Sequence, residues 1–166
     1  WNNTLGLTGG PTAAASGNDS LYYTLPEMMD GVAITASVSP GRAGQETHTS
    51  FGVVYTGIEG LTAKVGQGDS GAPLAGIEST TMMASYAIGS FTVSASNSVS
   101  DSMAASTDVE VTSYQIAYTV SEDISLTYGT ETFDKDASAV DEEVTGYGVS
   151  YTTGGMTISG SVINAE

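Results

Sequence analysis

A serine held between an aspartate and a glycine in a tight Gly/Pro turn can do covalent chemistry, and the chain has one such run, Gly68-Asp69-Ser70-Gly71-Ala72-Pro73. For Ser70 to act as a nucleophile it needs an imidazole base within hydrogen-bond reach. The sole histidine, His48, lies 22 residues earlier in Glu46-Thr47-His48-Thr49-Ser50. The plainer reading of the run is a loop between two strands. A second group, Asp134, Asp136, Asp141, Glu142 and Glu143 around Lys135, offers the hard oxygen ligands that calcium takes. Its glycine and terminal acid do not fall at EF-hand spacing, so calcium is expected only as an ion on an exposed, solvated loop, and no other cofactor is expected. A third group is the scarce cations. Lys64 and Arg42 opposite an acidic constriction would set up a transverse field that orients dipolar solutes, with Lys64 the better placed. With so few basic residues, a weak cation preference is expected of any pore.

The elements that position these residues repeat. Tyr23, Tyr55, Tyr86, Tyr118 and Tyr151 each stand shortly before a tight turn, and each turn is followed by an alternating run such as VAITASV, FTVSAS or MTISGSV. The spacing is 32, 31, 32 and 33 residues, so one hairpin per repeat is expected. Alternation predicts ten strands near 20–25, 32–39, 49–56, 61–67, 79–88, 91–99, 110–119, 124–132, 143–152 and 156–163. Short connections (26–31, 57–60, 89–90, 120–123, 153–155) alternate with longer ones (40–48, 68–78, 100–109, 133–142). That is the pattern of an up-and-down meander across a membrane.

The two faces differ in chemistry. One carries Val32, Ile34, Val93, Ile116, Leu126 and Ile158. The other carries Thr35, Ser37, Thr62, Lys64, Thr92, Ser94, Gln115, Ser125, Thr127 and Ser159, the residues expected to line a pore. Carboxylates are expected in connections and at strand ends, leaving Lys64 the only charge in a strand middle. A charge on the lipid face at mid-depth costs roughly 2–4 kcal/mol, which accounts for that placement. The five tyrosines are expected to form an interfacial girdle, with rings in lipid and hydroxyls at the headgroups. Cross-strand tyrosines in the core of a soluble sandwich are the competing reading.

Composition agrees. Charged residues make up 13% of the 166, and there are 21 glycines and no cysteine. Disulfides and a cysteine-based zinc site are excluded. Mean hydropathy is +0.02, and no stretch approaches the roughly 18 apolar residues of a transmembrane helix. A membrane chain of this kind spans as a closed barrel. A net charge of −16 excludes a nucleic-acid partner, which needs a basic surface.

Residues 21–41, LYYTLPEMMDGVAITASVSPG, resemble the stretch that follows the constriction loop of Gram-negative general porins. Residues 49–68, TSFGVVYTGIEGLTAKVGQG, resemble the next hairpin of that family. The resemblance implies an all-β, transmembrane, antiparallel up-and-down barrel of about sixteen strands, of which ten are present. It implies that residues 1–19 are the tail of the inward-folded constriction loop, and that 20–166 are barrel strands of a single domain continuing beyond both ends. It further implies a homotrimer in the outer membrane, contacts with lipid and lipopolysaccharide, and passage of small polar solutes without covalent chemistry. The run 68–73 also resembles the nucleophile motif of trypsin-like serine proteases, with Ala72 in place of the family's last glycine. His48 lacks that family's Ala-Ala-His-Cys context, and 22 residues leave no room for the barrel those enzymes place between base and nucleophile. A secreted β-rich structural or adhesive protein, a solenoid or sandwich, is the other alternative. The outer face discriminates, because a barrel exposes its apolar residues to lipid and a soluble sandwich buries them between layers.

Overall fold

In the computed structural model, residues 20–26, 29–41, 47–70, 76–102 and 108–165 are described. They form ten strands: β1 (Leu21–Thr24), β2 (Val32–Ser39), β3 (His48–Tyr55), β4 (Leu61–Ser70), β5 (Ile77–Ile88), β6 (Phe91–Ser102), β7 (Val109–Thr119), β8 (Ile124–Lys135), β9 (Glu142–Thr153) and β10 (Met156–Ala165). All join one antiparallel sheet in sequential order. The expected constriction-loop tail, 1–19, and Arg42 lie outside the described residues.

Strands β4, β6 and β8 run three residues further into the long connections than alternation predicts, β5 runs two further, and β7 and β9 one. Their loop-side ends carry Asp, Glu, Ser and Thr, which read as loop, yet the ladder hydrogen bonds continue through them. Two expectations are corrected by this. Asp69 and Ser70 end β4 rather than sit in a loop. Asp134 and Lys135 belong to β8, and Glu142 and Glu143 to β9, leaving Asp136 and Asp141 in the connection.

The hairpin repeat has a structural cause. The amide following each of the last four rim tyrosines donates to a carbonyl in the preceding short turn: Thr56 to Gly31 (2.7 Å), Ala87 to Gly60 (2.8 Å), Thr119 to Ser90 (2.8 Å) and Thr152 to Asp123 (2.8 Å). Each hairpin thus docks on its predecessor through the same bond. Gly60 shows why some turns need glycine. Its φ is +78°, and a Cβ there would stand 2.5 Å from the Ala87 carbonyl oxygen. The left-handed backbone alone disfavours a side chain.

Packing is that of a single wall. Val144 is the one buried hydrophobic residue among those described, while Met82, Tyr114 and Ile158 are 54%, 58% and 57% exposed. A soluble sandwich would bury those three side chains against a second layer. The opposite face is the crowded one, with Ser37, Thr81, Ser113, Thr127 and Glu131 all buried. A sheet that curves toward its polar face produces this inversion.

Candidate functional site

The register assigns every candidate residue to a face. Thr35 opposes Gly52, Thr62 opposes Ser85, Thr92 opposes Ala117, Ser94 opposes Gln115, Thr127 opposes Gly148, and Ser125 and Ser159 both oppose Ser150. Ser37 opposes Ser50, and their hydroxyls are 2.7 Å apart. Lys64 lies between Val54 and Met83. All ten candidates share the crowded face, and all five rim tyrosines share the other. Hydroxyls tie neighbouring strands together on the polar face: Thr81 to Ser98 at 2.9 Å, and Ser94 to the Gln115 side-chain oxygen at 3.4 Å.

One charged residue on this face escaped the sequence reading, which left Lys64 as the sole mid-strand charge. Glu131 stands in β8 between Ser113 and Val144, with 1% exposure. Ser125, Thr127 and Gly129 are in phase with it, so alternation carried through the acidic stretch would have found it. Lys135 and Glu142 also point to this side and form an ion pair at 2.8 Å, with the Lys135 ammonium 5.5 Å from the Phe133 ring centroid. The charged side chains of the described polar face are therefore Lys64, Lys135, Glu131 and Glu142, a formal balance. The excess acidity lies elsewhere.

It lies in the connections and, within the strands, on the apolar face at the long-loop end. Asp69 opposes Glu78, Glu78 opposes Asp101, and Glu110 opposes Asp134. Like charges directly across a ladder destabilise it in the absence of partners. Local hydrogen bonds absorb part of this. The Asn97 amide donates to Glu110 (2.6 Å) and Thr112 (3.0 Å), the Thr49 hydroxyl donates to Asp69 (2.9 Å), and the Gln67 amide donates to Glu78. Asp134, Asp136 and Asp141 do not converge; no three carboxylates among the described residues could jointly hold a metal ion.

The tyrosine rim gives the orientation of the wall. Tyr55 opposes Ala63 and Ala63 opposes Ala84, two residues short of Tyr86. Tyr86 opposes Val93 and Val93 opposes Ile116, two short of Tyr118. Tyr118 opposes Leu126 and Leu126 opposes Val149, two short of Tyr151. From Tyr55 to Tyr151 the rim therefore climbs two residues for every two strands, and from Tyr23 to Tyr55 it climbs four, since Tyr23 opposes Ala36 and Ala36 opposes Phe51. At about 3.4 Å per residue and 4.8 Å per strand, the climb from Tyr55 to Tyr151 is a strand tilt of about 35°, at the lower edge of the range for barrels. Glu78, Glu110 and Glu143 each precede a rim tyrosine by eight residues, so they lie in a parallel plane roughly 22 Å higher, close to the height of a transmembrane apolar band. Between the planes lie Met82, Val93, Tyr114, Ile116, Leu126, Tyr147 and Val149.

As for the serine of the 68–73 run, Ser70 pairs with Ile77 at the end of β4, and residues 71–73 lie outside the described set. His48 contacts the Asp69 backbone oxygen at 3.3 Å through Nδ1, and the Asp69 carboxylate is engaged by Thr49. Among the described residues the Asp69 carboxylate is thus a strand-end partner of Thr49 on the opposite face from the pore candidates.

A tilted meander with an apolar band between an aromatic rim and a charged rim, and hydroxyls behind it, defines the wall of a transmembrane β-barrel. The comparisons agree. The chain matches the Gram-negative porin family over residues 1–166, and it belongs to that family. No curated protein matches it. Among solved structures it is similar to an anion-selective porin from Comamonas acidovorans (15% identity, TM-score 0.72, 87% of this chain and 47% of that one). It is also similar to in-vitro folded OmpT, an outer membrane protein of Vibrio cholerae (14%, 0.70, 89% and 53%), and to a porin refined at 1.8 Å (21%, 0.67, 89% and 56%). The chain spans about half the length of these structures. Its place is the bacterial outer membrane.

Proposed function

We propose that the chain forms the larger part of the wall of a water-filled channel through which small hydrophilic solutes and ions diffuse passively. The observation that carries this is the separation of faces across ten strands, with Ser, Thr, Gly and Gln predominating on one side and lipid-compatible side chains on the other. Lipid tolerates only closed sheets, so the edges at β1 and β10 need strand partners, and the barrel of about sixteen strands that the family resemblance implies would provide them. Thr35, Ser37, Thr62, Lys64, Thr92, Ser94, Gln115, Ser125, Thr127 and Ser159 would line the lumen. No step of passage requires covalent chemistry, so the protein is a channel and not an enzyme.

Selectivity follows from charge placement. The described wall is balanced, and the net charge of −16 sits at the rims and loops, where it enriches cations at the mouth. A weak cation preference results, opposed inside by Lys64. Lipopolysaccharide is the partner of the carboxylate rim, with calcium drawn to Asp134, Asp136 and Asp141 as a mobile layer rather than a caged ion. A homotrimer of such barrels is the assembly the family resemblance favours. Single-channel conductance of the purified protein in a planar bilayer tests the reading. Discrete steps with a modestly cation-directed reversal potential support it. A protein that inserts but never conducts refutes it.

A further inference from the structure

The polar face of the wall has a hollow of its own. Ser125, Thr127, Ser150, Ser159 and Ser161 surround a space of about 140 Å³ whose floor is the β9 backbone at Gly148. Register explains its shape. Ser125 opposes Ser150 and Ser150 opposes Ser159, which sets three hydroxyls in a row across β8, β9 and β10. Two residues further from the tyrosine rim, Thr127 opposes Gly148 and Gly148 opposes Ser161. With no side chain at Gly148, Thr127 and Ser161 stand two strand spacings apart, about 9.6 Å, across an open gap.

Elsewhere on this face opposed hydroxyls bond to each other, Ser37 to Ser50 at 2.7 Å and Thr81 to Ser98 at 2.9 Å. The Thr127 hydroxyl has no hydrogen-bond partner, although the residue is only 9% exposed. Leaving a buried hydroxyl unmet is unfavourable, so Thr127 favours an occupant able to bond it. The place of the hollow is also defined. Ser150 and Ser159 adjoin rim Tyr151 and its partner Ile158. The hollow therefore lies at the short-turn end of the wall, the periplasmic end in barrels of this kind.

We propose that the hollow is a subsite for a small acyclic polyol, of about three or four carbons, on its way through the channel. The chemistry of the lining selects this class. Among the described residues every polar side chain in it is a hydroxyl, which donates and accepts as a polyol's own hydroxyls do. None carries a charge, so an ion would exchange its hydration shell for neutral dipoles with no counter-charge. None is aromatic, so a sugar ring finds no face on which to lie. The volume is below the roughly 300–1,000 Å³ of sites for drug-sized ligands, which favours a molecule the size of glycerol or erythritol. The inference rests on the channel reading and adds to it a class of solute and a place where that solute pauses.

Uptake into vesicles that contain the protein, followed by light scattering as they swell, tests this with erythritol and with alanine, a zwitterion of similar size. Erythritol uptake should saturate with concentration, at half-saturation on the order of tens of millimolar for so small a ligand, while alanine uptake stays proportional. In S150A/S161A the half-saturation should rise at least fivefold. Proportional uptake of erythritol, which would mean that the hollow holds water only, overturns the proposal, as does saturation shared by alanine or untouched in S150A/S161A. A second readout does not depend on that variant folding. The chain has no cysteine, so a thiol can be placed singly at S161C or T92C. Erythritol should slow the reaction of a charged thiol reagent at position 161 at least threefold and leave position 92 unchanged. Equal rates at position 161 with and without erythritol overturn the proposal. A protein that inserts and conducts no salt contradicts the channel reading itself, and is thereby distinguished from a conducting channel whose hollow takes no polyol.

Discussion

Gln115 and Ile116 are adjacent in sequence and opposed in environment, which makes them a sensitive pair. Gln115 faces Ser94 and Gly129 on the polar side; Ile116 faces Val93 and Tyr128 on the apolar side. Ile116 is two residues from rim Tyr118 and six from Glu110, about 6 Å inside the aromatic rim, and 40% exposed to what the wall reads as lipid. An arginine costs roughly 2–4 kcal/mol at the midplane and roughly 0–1 kcal/mol near the interfaces, so about 1–3 kcal/mol at this depth, while the same side chain in a water-filled lumen costs close to nothing. Ile116→Arg should therefore lower the folding equilibrium constant in vesicles by about 5- to 150-fold, at 1.4 kcal/mol per decade. Gln115→Arg should leave it within about threefold, since roughly ±0.5 kcal/mol is usual for a tolerated surface change. Guanidinium titrations of both variants in the same vesicles measure the difference directly. In bilayers Gln115→Arg should shift the reversal potential toward anions. Equal destabilisation by both variants, or the reverse order, would refute the assignment of faces.

Three further outcomes are expected. Gly60→Ala should destabilise by at least about 1–2 kcal/mol from the left-handed backbone alone, and more because its Cβ also meets the Ala87 carbonyl oxygen; the same titration reads it. Tyr118→Ala should lose the stacked Phe91 ring, whose centroid lies 4.6 Å away, at a cost of about 0.5–1.5 kcal/mol beyond the lost area, whereas Tyr118→Phe should keep most of that term. Lys64→Glu should leave stability nearly unchanged and move the reversal potential further toward cations, and a shift toward anions would contradict a lumenal Lys64.

Much of the architecture was legible because membrane strands are two-faced. Val93, Ser94, Ala95 and Ser96 announce a strand and both of its faces with no tertiary information, and the tyrosine spacing announces the hairpins. The loop-side strand ends were not legible. Asp69, Glu78, Asp101 and Asp134 look like loop because a carboxylate in a strand middle normally has nowhere to go. Here the strands outrun the apolar band, and the excess length carries charge into the headgroup region. Glu131 was hidden by the same assumption, although its phase with Thr127 and Gly129 placed it on the polar face. The alanine row was beyond reach of the sequence. Ala63, Ala84 and Ala95 meet only through the register of three strands, and nothing local marks them as neighbours. The tilt is a middle case: the rim tyrosines were visible, but their two-residue climb per hairpin needs the pairing to be known.

A cysteine scan of β7 from Tyr114 to Thr119, one position at a time in the protein inserted in vesicles, tests the water-filled wall most directly, using a charged, membrane-impermeant thiol reagent. A two-faced wall predicts labelling at positions 115, 117 and 119 and protection at 114, 116 and 118. Uniform labelling, uniform protection or the opposite phase contradicts a channel lined by these residues.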